Sequence, residues 1–188
     1  GAKFFENIRE CVKGCDAVIT IVGYPADVEA VYFGEGKIID SAEKGAYLID
    51  MTTTSPQLDM RISETASPLG FHVLDAPVTG GDRGAKAGTL SILVGGKRED
   101  CEACMDIFRA MGSNITYYGP SGAGQHAKLA NQIMQASIMS GVCEALAYVR
   151  EQGLDPEVFM KGAAAGAGQN ALLESYGERI CKDDLEPG

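Results

Sequence analysis

The chain has 188 residues, 45% of them hydrophobic, and a formal net charge of −10 with a pI near 4.6. That length suits one domain or a domain and a half, and the apolar content suffices for a packed core. With 26 acids against 16 bases, no basic stripe exists to meet phosphates, which excludes nucleic acid as a partner; the absence of any apolar run of spanning length excludes a membrane.

Residues 5–13 have helical spacing. Asp16-Ala17-Val18-Ile19-Thr20-Ile21-Val22 is a nearly continuous apolar run closed by Gly23 and Pro25, the mark of a strand buried on both faces. A short helix is predicted over 26–33, with Asp27 and Glu29 in the first turn, where the macrodipole favours acids. Ala46-Tyr47-Leu48-Ile49-Asp50-Met51 is a second strand, leading into the hydroxyl cluster Thr52-Thr53-Thr54-Ser55-Pro56. Ser55 reads as an N-cap and Pro56 as the first residue of a helix that runs to about residue 67. The third strand, 71–74, empties into a loop, Asp75-Ala76-Pro77-Val78-Thr79-Gly80-Gly81. A fourth, 89–94, lies between Gly88 and Gly95-Gly96; an amphipathic helix over 98–111 and a last strand over 115–118 follow. Strands alternating with helices imply right-handed crossovers and a mainly parallel sheet.

From Gly122 the pattern changes. Leu129, Ile133, Met134, Ile138, Val142, Leu146 and Val149 recur at helical spacing, predicting a helix of about 40 Å, long enough to connect or span two domains. Gly153 is its C-cap, and Asp155-Pro156 opens the next helix. The small residues over 163–168 are expected to let helices pack closely. The fold class is therefore α/β: a parallel-sheet domain over 1–118, followed by an all-α domain over 119–188 entered by the long helix. The chain begins Gly1-Ala2-Lys3 and ends Glu186-Pro187-Gly188, and it reads as an internal piece of a longer protein.

Six cysteines invite a metal or disulfide reading. Cys101-Glu102-Ala103-Cys104 is a C-x-x-C, but a zinc site needs a second such pair or a histidine pair, and His72 and His126 stand apart. Reduced thiols in a cytoplasmic protein, with no metal, are expected.

In an open α/β sheet, ligands sit at the carboxyl ends of the strands, and three polar segments fall there: Gly23-Tyr24-Pro25, 52–56 and 75–81. Each alone is an ordinary turn composition; three on one edge make a ligand groove. Thr79-Gly80-Gly81 offers a hydroxyl and successive open backbone N–H groups, a nest for a carboxylate, although paired glycines also serve a tight turn. Lys128 and Asn131 lie one helical turn apart after Gly122-Ala123-Gly124. Most helical lysines are solvated and inert. Lys128, flanked by Ala127, Leu129 and Ala130 with no acid a turn away, is expected to be partly desolvated, its pKa drawn down toward neutrality.

These residues resemble the β-hydroxyacid dehydrogenase family, which includes 3-hydroxyisobutyrate dehydrogenase and tartronate semialdehyde reductase, with 6-phosphogluconate dehydrogenase more distant. The 75–81 segment, continued by Gly84-Ala85, Gly88-Thr89-Leu90 and Val94-Gly95-Gly96, resembles the family's substrate-binding signature; Gly122-Ala123-Gly124-Gln125 with Lys128 and Asn131 resembles its catalytic helix. The resemblance covers essentially the whole chain. It implies a Rossmann-type sheet domain, NAD or NADP as cofactor, Lys128 as general acid/base, and a small hydroxy acid or semialdehyde held by Thr79, Gly80, Gly81 and Asn131. It places Val22, Gly23, Tyr24 and Val28 along the dinucleotide, Thr53 beside the nicotinamide, and the protein in a homodimer or homotetramer. Thr79 stands where many members have Ser, and Gly23-Tyr24 where many have Leu-Pro. The family's opening G-x-G-x-x-G unit, a βαβ of about 30 residues or more, is not in this sequence, nor is a later Lys-Asp-Leu segment. The piece by itself is therefore expected to bind cofactor poorly and to be inactive.

The reading is an NAD(P)-dependent oxidoreductase interconverting a small β-hydroxy acid and its semialdehyde or keto acid. The alternative is a non-catalytic dehydrogenase-like binding or oligomerisation module. A decarboxylating phosphogluconate-type enzyme would need sugar-phosphate ligands that the sequence does not display.

Overall fold

The computed structural model describes residues 1–184, and the chain divides into two compact units, Gly1–Leu129 and Ala130–Gly188. In the first, Asn7 caps α1 (Ile8–Val12), accepting from the Glu10 N–H at 2.9 Å. Then come β1 (Ala17–Thr20), α2 (Pro25–Tyr32), α3 (Ile38–Ser41), β2 (Tyr47–Asp50) and α4 (Pro56–Ala66). Pro56 occupies the first turn of α4 as expected, but Ser55 does not cap it; its hydroxyl is turned aside and donates to Gln57 Oε1 at 2.8 Å. The unit continues through β3 (His72–Asp75), β4 (Val78–Thr79), α5 (Gly81–Ala87), β5 (Leu90–Gly96), α6 (Arg98–Ala103), α7 (Met105–Met111) and β6 (Gly112–Gly119). The helix expected over 98–111 is two, broken at Cys104.

β1, β2 and β3 are parallel, and β6 is parallel to β5. The departure from the expected parallel sheet is β5, which runs antiparallel to β3 through Leu74↔Gly96 and Asp75↔Gly95, and to β4 through Val78↔Ile92 and Thr79↔Ser91. Both sets share one register, so β4 is β3 carried on past Ala76 and Pro77, with Pro77 O accepting from the Leu93 N–H at 2.9 Å. Only residues 80–89 separate β4 from β5, fewer than the dozen or so a parallel crossover needs, and the chain must fold back. The segment expected to be a loop is therefore paired strand as far as Thr79, with a helix starting at Gly81.

The alternation of the central strands gives the sheet two cores. Val18, Leu48 and Val73 face Val28, Tyr32, Ile38, Ile62 and Ala66 of the helices before β3; Ile49, Leu74, Ile92 and Val94 face Cys101 of α6, Cys104 at the break and Phe108 of α7. Burial pushes the Cys104 thiol up to about 11, which leaves it a protonated core residue. His72 does not stand alone: its Nδ1 lies 2.6 Å from Asp100 Oδ1, and its ring stacks on Tyr47.

Helix α8 (Ala123–Glu151) gives its first turns to the sheet unit and the rest to the helical unit, which adds α9 (Pro156–Ala164) and α10 (Ala171–Cys181). Gly153 turns the chain at φ 71°, and Asp155 caps α9 by accepting from the Glu157 and Val158 N–H groups. Val142, Leu146 and Leu173 form the core, with Phe159, Met160 and Ile180 against it. Because α9 stops at Ala164, the small-residue run over 163–168 is part helix and part turn. Among the described residues no helix is long and apolar enough to cross a membrane.

Candidate active site

Register sets Thr20, Asp50 and Asp75 side by side at the carboxyl ends of the parallel strands, and all three side chains are buried. Aligned residues on neighbouring strands share a face. Thr20 Oγ1 donates to Asp50 Oδ1 at 2.9 Å; with that proton committed, it accepts from Tyr32 OH at 3.0 Å. The Thr52 N–H reaches the same Asp50 oxygen at 3.0 Å. Burial pushes the Asp50 carboxyl up against the pull of these hydrogen bonds, which also include one with the Asp59 carboxyl of α4. Asp59 itself is pushed up to about 9, by burial first and then by the charges of Asp50 and Asp75. Asp50 Oδ2 and Asp59 Oδ2 are both buried without a protein donor, and one proton held between the two acids satisfies both.

Asp75 makes the same edge a seat for a helix. Its Oδ1 accepts from the Gly122 N–H at 2.8 Å and its Oδ2 from the Gln125 N–H at 3.0 Å. The acid thus occupies the amino end of α8, where unpaired N–H groups and the macrodipole favour an anion; burial, the largest influence, still raises its pKa. The approach requires glycine: a Cβ on Gly124 would stand 2.3 Å from Leu93 O, and one on Gly95 2.5 Å from Asp75 Oδ1. Gln125 has none of its surface exposed and grips the hydroxyl cluster. Its Nε2 donates to Thr52 O at 2.7 Å, and its Oε1 accepts from the Thr54 N–H at 3.0 Å.

Lys128 follows Gln125 by three residues, a rise of about 4.5 Å along the helix. It is 8% exposed. Burial lowers its pKa, and no carboxylate among the described residues offsets that. The amine is thus withdrawn from bulk water. Asn131, a turn further on, falls in the helical unit, and its Nδ2 is buried without a hydrogen-bond partner. Thr79 is half-buried at the end of β4, and Gly80 and Gly81 are exposed, at φ 129° and 61°. Those left-handed values admit glycine readily and strain other residues. They let the chain turn from strand into α5 within two residues of Thr79.

At the neighbouring strand ends, the Val22 N–H donates to Thr52 Oγ1 at 3.0 Å, tying the β1 turn to the hydroxyl cluster. Gly23 and Tyr24 are exposed, and Thr53 stands exposed between buried Thr52 and Thr54. Val28 is not at this edge: it has no exposed surface and packs in the core with Val12, Val18 and Tyr32. Sequence reasoning did not single out Asp50 or Asp59, and it named Gln125 within a motif without giving it a role. The available signal was an acid inside each of two apolar patterns: Asp50 within a strand run, and Asp59 on the stripe of Ile62 and Ala66.

The edge fits part of a nicotinamide dinucleotide. Open backbone at Gly23 and Tyr24 and the free Thr53 hydroxyl lie at the ends of adjacent strands, whereas the glycine-rich pyrophosphate turn is not in this sequence. Residues 1–119 match the family model described as the NAD binding domain of 6-phosphogluconate dehydrogenase, and residues 122–188 the one described as NAD-binding of NADP-dependent 3-hydroxyisobutyrate dehydrogenase. The chain is 50% identical over 188 residues to an uncharacterized oxidoreductase, YkwC, of Bacillus subtilis, covering 100% of this chain and 65% of that protein. It is 37% identical over 188 residues to the 2-hydroxy-3-oxopropionate reductase of Escherichia coli K12, covering 100% of this chain and 64% of that protein. A Mycobacterium tuberculosis 3-hydroxyisobutyrate dehydrogenase solved with L-serine superposes with a TM-score of 0.85 at 26% identity, over 98% of this chain and 65% of that one. The chain therefore spans just under two thirds of the length of these relatives. The cofactor of both matched regions is NAD or NADP, and the chain belongs to the β-hydroxyacid dehydrogenase family.

Proposed function

We propose that the protein to which this chain belongs is an NAD(P)-dependent dehydrogenase that interconverts a short β-hydroxy acid and its semialdehyde or keto acid, with Lys128 as the general acid/base. The observation that carries this reading is the state of Lys128: a buried amine with no counter-ion among the described residues, on a helix whose first turn is bonded to the carboxyl edge of the sheet. L-serine, found with a structural relative, is itself a short β-hydroxy acid, which supports the substrate class. When bound, the nicotinamide supplies the hydride chemistry.

The chain's own residues then handle position and protons. Thr79 and the N–H groups at Gly80 and Gly81 bind the substrate carboxylate, and Asn131 holds the reacting oxygen, so that the carbon to be reduced is presented in one orientation. In reduction the Lys128 ammonium gives its proton to the oxygen that becomes the hydroxyl; in oxidation the neutral amine takes that proton. Desolvation, by lowering the lysine pKa, keeps both forms accessible closer to neutral pH. Val22, Gly23, Tyr24 and Thr53 line the cofactor's path, and Val28 backs that turn from the core.

In the full-length protein, Lys128→Ala is expected to lower kcat by about 10²- to 10⁴-fold while leaving cofactor affinity intact, measured by absorbance and fluorescence of the reduced cofactor against a panel of small hydroxy acids. Oxidation requires the neutral amine, so its rate should rise with pH through the lysine pKa, and the rate of reduction should fall through it. Both inflections should lie below the ordinary lysine value of 10.5. Turnover within tenfold of wild type for Lys128→Ala would refute the reading.

A further inference from the structure

The amide of Gln125 occupies an unusual place: both of its polar atoms are spent on the backbone of a segment more than seventy residues earlier in the chain. Its own N–H is held by Asp75, and the side chain is wholly buried. One residue thus joins three things: the end of β3, the hydroxyl cluster that carries Thr53, and the turn of α8 that carries Lys128. We infer that Gln125 is a positioning residue which locks the 52–54 segment to the Lys128 turn and so fixes the offset between the hydride-donating and proton-donating sides of the site.

The inference rests on the function proposed above and adds a residue to it. Gln125 touches neither substrate nor cofactor; it acts through Thr52 and Thr54 on one side and through its own helix on the other. The two hydrogen bonds have opposite polarity, Thr52 O accepting and Thr54 N donating. A primary amide serves both at once. A methionine of similar length serves neither, and a carboxylate serves only the second. Loss of the clamp frees two backbone groups in a buried place and lets the cluster shift against the helix; an ångström of misplacement is enough to cost about a hundredfold in rate.

The test uses the full-length enzyme with Gln125→Met and Gln125→Glu, beside Lys128→Ala, all assayed well below each variant's Tm. For Gln125→Met, kcat is expected to fall about ten- to a hundredfold, with the Kd for reduced cofactor within about threefold of wild type and a larger primary isotope effect from deuterated reduced cofactor. A residue that only fills space would lower Tm and leave kcat and the isotope effect unchanged, and that result overturns the inference. For Gln125→Glu, kcat relative to wild type is expected to recover as pH falls, because the protonated carboxyl again donates to Thr52 O. Asp75 on β3, which holds the backbone N–H of residue 125, favours the protonated form; Asp59 from α4 faces the same side chain but keeps its own proton up to about pH 9, and Lys128 on the same helix opposes protonation. A ratio that is flat with pH overturns the inference.

The lysine variant separates the two readings. An active Lys128→Ala removes the proposed function and this inference with it, whereas an inactive Lys128→Ala beside a Gln125→Met of wild-type kcat overturns this inference alone. If neither glutamine variant folds, hydrogen exchange in the unsubstituted enzyme decides. Thr54 and Gln125 amides that open together support the clamp, and a Thr54 amide that exchanges as a free loop overturns it.

Discussion

Every polar or charged residue that is buried as a whole among the described residues, including Asp50, Asp59, Asp75, Gln125 and Lys128, lies in Gly1–Leu129. In the helical unit the buried hydrophobic side chains are Val142, Leu146, Val149 and Leu173, while Ile133, Met134 and Tyr148 remain more than half exposed. The sheet unit is specified by directional contacts that tolerate one arrangement, and the helical unit by a thin apolar core that tolerates repacking. The difference follows chemistry: a buried acid or amide needs hydrogen-bond partners, and Asp75 and Gln125 find theirs in the backbone around them.

Four substitutions in the full-length protein sharpen or break this contrast, read by chemical denaturation. The largest effect is expected from the apolar cores: Phe108→Ala, which removes a ring with no exposed surface, should cost about 3–5 kcal/mol, and Leu146→Ala about 2–3 kcal/mol because the thinner core around it collapses more readily. Equal losses would argue that the two cores are equally tight. Next is Asp75→Ala, which strands the Gly122 and Gln125 N–H groups and should cost about 2–4 kcal/mol. A loss under about 1 kcal/mol would mean that water replaces the carboxylate and that the seat of α8 is not set by Asp75.

The smallest effect depends on pH. Asp59 titrates at about 9 in the folded protein against an ordinary value of 3.8, so between those values the folded state keeps a proton that the unfolded chain has released. Stability from this group is therefore fully present below about pH 4 and declines as pH rises toward 9. Asp59→Asn keeps the shape and removes the titration. Its stability relative to wild type should improve from about pH 5 to about pH 6.5 by an amount on the order of 2 kcal/mol. A difference that does not change with pH would show that the Asp50–Asp59 proton is not shared.

Much of this was legible in residue order. The apolar runs around Val18, Leu48, Val73 and Ile92 gave their strands directly, because a buried strand needs little beyond length and composition. The spacing from Leu129 to Val149 gave α8 in the same way, and Lys128 stood out by the apolar company it keeps. What stayed hidden is non-local. Pro77 and the glycines that follow it spell a loop, yet pairing with β5 makes strand of Val78 and Thr79; tertiary context overrode composition. The Gln125 bonds to Thr52 and Thr54 join residues more than seventy apart, a distance at which no periodicity speaks. Ser55 looks like a cap, but its hydroxyl is turned to Gln57 Oε1 and accepts from no helix N–H.

The continuous register of β3 and β4 against β5 has an evolutionary corollary. A binding bend suspended between two free loop arms could lengthen, shorten or swing to admit bulkier molecules, but here an insertion before Thr79 would slip the pairing and turn inward-facing side chains outward. Under the function proposed above, diversification of ligand choice at this spot is channelled into point replacements, such as one hydroxyl residue for another at position 79, and away from changes in length. Library design for altered selectivity does best to hold the spacing from Asp75 to Gly81 constant and vary identity alone.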